Sequence, residues 1–140
     1  MLIVIAVVSI LAVMAAPSFS TLISSTRSRE ATMDLQTALW LARSEAVKRN
    51  QAVVVARAGG GSWTNGWTVT GPGSVILANH DALSGTKVTT SVPDITYLAS
   101  GRVSGDLSVA LSISGELPGS KAYCLRVAPS GRPFVKDGPC

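Results

Sequence analysis

The chain opens on a stretch without charge. Met1 to Ala16 (MLIVIAVVSILAVMAA) carries one polar side chain, Ser9, so a helix built from it is apolar on every side. Sixteen helical residues reach about 24 Å, a little short of a hydrocarbon core of about 30 Å. A secretory signal peptide needs a basic region ahead of its apolar run and a small-residue site behind it. Val13-Met14-Ala15-Ala16 resembles such a site, but no basic region precedes it and Pro17 would sit just after the cut. A buried core helix normally keeps a polar face, and this segment has none. The remaining reading is a membrane helix whose first residues precede Met1, with Leu2, Ile3, Val4, Ile5, Val7, Val8, Ile10, Leu11 and Val13 as its apolar surface.

The pattern after Pro17 decides among these. A proline inside a helix kinks it without necessarily ending it. Beyond it, Leu22, Ile23, Ala31, Leu35, Ala38, Leu39, Ala42 and Ala46 recur at steps of three and four, the spacing of one helix face. Arg27, Arg29, Glu30, Asp34, Arg43, Glu45, Lys48 and Arg49 lie between them. The spacing therefore predicts one long helix, apolar over 1–16 and amphipathic over 17–50, that leaves the bilayer and lays a stripe on a globular head. A signal peptide needs no such continuation.

From residue 51 the period becomes that of strands. Gln51 to Arg57 is rich in valine and ends at Gly59-Gly60-Gly61. Asn65-Gly66 between Trp63 and Thr70 predicts a hairpin turn, with Trp63 and Trp67 packing across it or onto the helix. Gly71 to Ser84 reads as turn-rich. Further strands are predicted at Lys87–Ser91, Ile95–Leu98, Leu107–Ile113, Ala122–Val127 and Pro133–Val135, divided by glycines. The head is then residues 51–140, with several short antiparallel strands in a small sandwich or two curled sheets. The fold class is α+β.

Composition narrows the function. Charged residues make up 14% of the chain, and 12 Lys and Arg against 8 Asp and Glu leave a net charge of +4. That mild excess permits contact with nucleic acid or an anionic membrane and requires neither. Catalytic constellations are missing from the pattern. His80 stands in an Asn-His-Asp turn, and Asp81, Asp94, Asp106, Glu116 and Asp137 are scattered through turns, where aspartate commonly caps. Gly59-Gly60-Gly61 lacks the Lys-Ser/Thr of a phosphate loop. The expectation is a non-enzyme with no cofactor, metal or small-molecule substrate.

The two cysteines, Cys124 and Cys140, have no histidine near them and are too few for zinc. They read as a disulfide closing a loop of about 15 residues, contributing about 3 kcal/mol, with two buried free thiols as the alternative. A disulfide implies an oxidising compartment. Arg132 and Lys136 lie inside that loop and Arg126 just ahead of it. A basic hairpin held by a covalent staple meets phosphates with little ordering cost.

The helix resembles that of type IV pilin-like proteins, and more closely that of the GspH/FimT group of minor pilins and pseudopilins. The residues that carry the resemblance are Met1-Leu-Ile-Val-Ile-Ala-Val-Val, Ala16-Pro17-Ser18-Phe19 and above all Leu41-Ala-Arg-Ser-Glu-Ala-Val-Lys-Arg-Asn50. It is strong over about the first 55 residues and weaker beyond. The group's peptidase site and its acidic residue at mature position five are expected upstream of Met1. The resemblance implies a single-pass subunit of the bacterial inner membrane with its head in the periplasm. Other pilin or pseudopilin subunits then join it through the helix in a type IV pilus or type II secretion filament. It also implies an alternative, binding of double-stranded DNA during natural transformation. DNA-binding members carry a Gly-Arg-x-Arg motif in the tail; Gly131-Arg132-Pro133 matches its start, with Phe134 in place of the second Arg and Lys136 two residues on.

Overall fold

The computed structural model describes residues 2–105 and 108–140, with side chains described at 3, 4 and from 19 onward. One helix, α1, runs from Leu2 to Arg49 without a break at Pro17. It stops at Asn50, which takes a left-handed backbone at φ 52°. Asn50 N–H donates to Val47 O and Gln51 N–H to Ala46 O, both at 3.2 Å, closing the last carbonyls of the helix. Lys48 and Arg49 place positive charge at the same negative end of the helix dipole.

Among the described residues eight strands follow in two antiparallel sheets: β1 (Val53–Arg57), β2 (Trp67–Thr70), β3 (Ile76–His80), β4 (Thr86–Thr89), β5 (Asp94–Tyr97), β6 (Val109–Gly115), β7 (Ala122–Val127) and β8 (Pro133–Asp137). The first sheet has the order β3-β2-β1-β5 and the second β4-β6-β7-β8. Alternation along each strand turns Val53, Val55, Val69, Ile95 and Tyr97 inward from the first sheet, and Leu111, Ile113, Leu125 and Val127 from the second. Against both sheets α1 lays Ala31, Leu35, Ala38, Leu39, Ala42 and Ala46, of which Leu35, Leu39, Ala42 and Ala46 are fully buried. The alanines bring the helix close to the sheets, and the leucines fill the space between them.

Three expectations are corrected. Asn65-Gly66 is not a hairpin turn. Trp63–Asn65 forms a single 3-10 turn whose Thr64 N–H is capped by Ser62, and Gly66 then leads into β2. A Cβ on Gly66 would collide with the backbone oxygen of His80, and its φ is 93°, so this glycine serves a close approach of chains. The turn drops Trp63 into the core, where its indole N–H donates to Val92 O at 2.8 Å. The stretch 71–84, read as turns, contains the edge strand β3; its register against β2 shifts at Val69/Thr70. Leu22 and Ile23 are 62% and 39% exposed and leave the helix stripe, which continues instead through buried Ser24, Ser28 and Thr32. Here the loop 115–121 crosses too close for large side chains: Ser28 Oγ bonds Lys121 O at 2.9 Å and Lys121 N–H bonds Ser25 Oγ at 3.0 Å. Leu107 and Asp106 lie outside the described residues, and β6 runs on past Ile113 to Gly115.

Two outcomes test this core. Leu39→Ala leaves a cavity where helix and both sheets meet, and is expected to lower unfolding free energy by about 3 kcal/mol in urea titrations; a cost below about 1 kcal/mol would contradict the packing. Tyr97 is fully buried and its hydroxyl has no hydrogen-bond partner among the described residues. Burial pushes that phenol well above its ordinary range, and the Arg43 guanidinium opposes the shift only in part. The folded state therefore keeps the proton longer than the unfolded state, so stability falls as pH rises past the unfolded phenol value of about 10. Tyr97→Phe should flatten that alkaline loss in thermal melts and leave neutral-pH stability equal or higher.

Candidate functional site

The outer face of the β4-β6-β7-β8 sheet gathers three of the basic residues of the head. Register sets Arg126 opposite Phe134 and Ala110, and Cys124 opposite Lys136 and Ser112. Lys87 on β4 faces the same way, opposite Ser114. Paired residues share a face, so Lys87, Arg126 and Lys136 stand on one surface among serines, Thr89 and Phe134. No carboxylate side chain interrupts them among the described strand residues. Asp137, next to Lys136 in sequence, pairs with Tyr123 and faces the other way. It lines a groove with Arg29 and Lys121. The Nε of Arg126 is buried without a partner in the described structure.

The C-terminal segment is stapled to this face. Cys124 and Cys140 form a disulfide with Cα atoms 4.9 Å apart. The turn before β8 is tied by Gly131 N–H to Ala128 O at 2.8 Å and Ala128 N–H to Arg132 O at 3.1 Å. Gly131, at φ 82°, has its α-carbon against the carbonyl of Gly101, which leaves no room for a side chain. Arg132 is exposed in this turn. It extends the row of Phe134 and Lys136 by one step beyond β8 and is not itself in the ladder.

The helix carries the other candidate surface. Ile3 and Val4 are exposed, and Leu2, Ile5, Val7, Val8, Ile10, Leu11, Val13 and Pro17 have side chains outside the described ones. Among the described residues no helix is long and apolar enough to cross a membrane. Head-facing burial of α1 spans Ser24 to Ala46. On its opposite side, Met33, Trp40 and Val47 are exposed at seven-residue intervals, with Phe19 and Leu22 nearer the apolar run. The Arg43 guanidinium lies 5.6 Å from the centre of the Trp40 ring and donates from Nε to Gly101 O at 3.1 Å. This exposed row is missing from the sequence reading, although the seven-residue step is visible in the sequence once the buried stripe is known.

His80 is also corrected. It closes β3 instead of sitting in a surface turn. Its ring stacks on Trp67 at 4.1 Å between centroids, and its Nε2 is 3.3 Å from the Asp34 carboxylate on α1. This contact ties an edge strand to the helix. Glu45, also on α1, accepts from Arg49 Nε at 2.6 Å, and that bond with nearby Lys48 holds its carboxyl below the usual range. Among the described residues no three His, Cys, Asp or Glu come together to hold a metal. What the molecule presents is two surfaces, one basic and flat, one helical and apolar.

Known proteins match this fold. Two crystal structures of the type IV minor pilin FimU from Pseudomonas aeruginosa PAO1, in space groups P21 and P65, each superpose with a TM-score of 0.67 at 22% sequence identity. Each covers 77% of this chain, and 87% and 91% of the respective FimU chains. At that identity the likeness establishes a shared fold. No curated protein sequence matches the chain. The family model described as type II transport protein GspH matches residues 31–131, from the middle of α1 to the turn before β8. That match takes in well over half the chain, and with the pilin fold it places this protein in the GspH family of pilin-like proteins.

Proposed function

We propose that the protein is a structural subunit, a minor pilin or pseudopilin, that waits in the bacterial inner membrane with its head in the periplasm and then enters a type IV pilus or type II secretion filament. The observation that carries this reading is the helix. A 48-residue α1 is about 72 Å long, yet it buries side chains in the head only from Ser24 to Ala46. Its lower part belongs to the apolar run, which finds a low-dielectric partner either in lipid or in the helices of neighbouring subunits. One apolar surface therefore serves both storage and assembly. The exposed row of Met33, Trp40 and Val47 repeats every seven residues, the interval at which two helices pack side by side with a slight left-handed crossing. Other pilin or pseudopilin subunits are the partners that such a surface fits. The role is cohesion, with no catalytic step, cofactor or small-molecule substrate assigned.

A second reading, DNA binding through the tail, is supported by the row of Lys87, Arg126 and Lys136, uninterrupted by a carboxylate side chain among the described strand residues, with exposed Arg132 beside it. Such a surface contacts phosphates without reading bases. Phe134 in place of a second arginine forgoes the bidentate grip that a guanidinium supplies.

The two readings are separable. Val8→Asp, costing about 3 kcal/mol for a charge in the middle of a membrane helix, is expected to remove the full chain from membrane fractions and from sheared filaments. Lys87→Gln should leave both unchanged; a Val8→Asp chain still present in filaments would count against helix-driven assembly. For DNA, gel retardation of a duplex by the detergent-solubilised full chain should weaken steeply with salt. Arg132→Ala with Lys136→Ala should reduce the salt slope by about 2. Retardation indifferent to salt or to the double substitution would exclude the tail as a DNA surface.

A further inference from the structure

At the base of the head, where α1 emerges toward its apolar run, a cleft of about 300 Å³ opens between the helix and the loops at Gly85 and Glu116. That is the lower end of the range for small-molecule sites, about 300–1,000 Å³. Ser24 lines it, is 5% exposed, and its hydroxyl has no hydrogen-bond partner among the described residues. The hydroxyl occupies the space a side chain on Gly115 would fill, so the loop is shaped around it. The hydroxyl oxygen is itself shut off from solvent against Gly115, so Ser24 helps to shape the wall of the cleft and does not open into it.

The charges of the cleft are also unspent. Arg27 and Glu116 both line it with opposite sign, yet they form no ion pair with each other. The ion pairs of the described residues lie elsewhere, at Glu45 and at His80–Asp34. A cation and an anion that line one small cleft match a ligand that carries both signs. The rim is apolar, with Ile23 and Leu117 both partly exposed. Ser20 lies four helical steps past Ala16, about 6 Å of helix, which sets the cleft at headgroup depth when the run 1–16 lies in a bilayer.

We propose that this cleft binds the headgroup of a phosphoethanolamine lipid. The Arg27 guanidinium takes the phosphate and the Glu116 carboxylate takes the ammonium. Ile23 and Leu117 meet the start of the acyl chains. The bound lipid seats the base of the head on the leaflet. This inference rests on the membrane-anchored reading given above, because a soluble chain would meet no lipid at this depth.

The test is a titration of the full chain in non-ionic detergent micelles with dihexanoylphosphatidylethanolamine, following the backbone amide signals of Ser24, Arg27 and Glu116. Saturable shifts are expected, with affinity reduced about tenfold by Arg27→Gln and by Glu116→Gln, each of which removes one charge-assisted contact. Both side chains belong to exposed residues, so these variants keep the fold. An equal response to dihexanoylphosphatidylglycerol, which lacks the ammonium, overturns the proposal, as does unchanged affinity in Glu116→Gln. Free phosphoethanolamine binding as tightly as the lipid would overturn the lipid as occupant. Membrane fractionation of the Arg27 and Glu116 variants keeps the two readings apart: they should stay anchored, unlike Val8→Asp, whatever the cleft binds.

Discussion

One helix stripe holds two sheets together. Neither four-stranded sheet is closed, and each has an inner apolar face that needs a cover. α1 supplies that cover to both, with Leu35 and Leu39 in a single core with Val55 and Ile95 of one sheet and Leu111 and Leu125 of the other. The small residues Ala31, Ala38, Ala42 and Ala46 let the backbone approach, and the Trp63 turn plugs the gap that remains. Removing the helix would expose both inner faces at once. The head is thus inseparable from the segment that carries it, and any pull on the helix is transmitted to the whole core.

That dependence distributes function over the surface. The helix side turned to the head is spent on stability, which leaves Met33, Trp40 and Val47 uncovered on its far side. The outer face of the second sheet is free of core duty and gathers Lys87, Arg126 and Lys136, stapled at its edge by the Cys124–Cys140 bond. The disulfide closes the C-terminal segment onto β7, so the basic turn is ordered before it meets anything. At the base, close approach of α1 and the loop after β6 goes with serines in the helix stripe, and a small cleft opens beside them.

Much of this was legible in the pattern of residues. The three- and four-residue steps from Ala31 to Ala46 gave the buried face of α1, since helix geometry leaves few alternatives once a stripe is that regular. Six of the strands lay close to their predicted places because their alternation faces a core on one side and solvent on the other. Failures came where a local signal was overruled by a distant contact. Asn65-Gly66 has hairpin chemistry, but Gly66 is there to pass the His80 backbone. Ile76–His80 lacks clear alternation because an edge strand with both faces partly wet need not alternate. Leu22 and Ile23 fit the helix period yet lie where no head surface covers them.

For the basic surface, the sequence named Arg126, Arg132 and Lys136 but could not remove Asp137 from beside them; strand register did that, by sending it to the opposite face. Lys87 joins the row only because β4 pairs with β6, a partnership with no local trace. By itself the sequence determined the long helix, the change from membrane-like to amphipathic character, the β-rich head and the cysteine pair. These follow from short-range periodicity and composition, which backbone geometry converts directly into structure. The tertiary structure decided which strands became neighbours, which charges share a face, and where a serine is left buried without a partner. Those depend on contacts between residues far apart in the chain, and no periodicity within a segment encodes them.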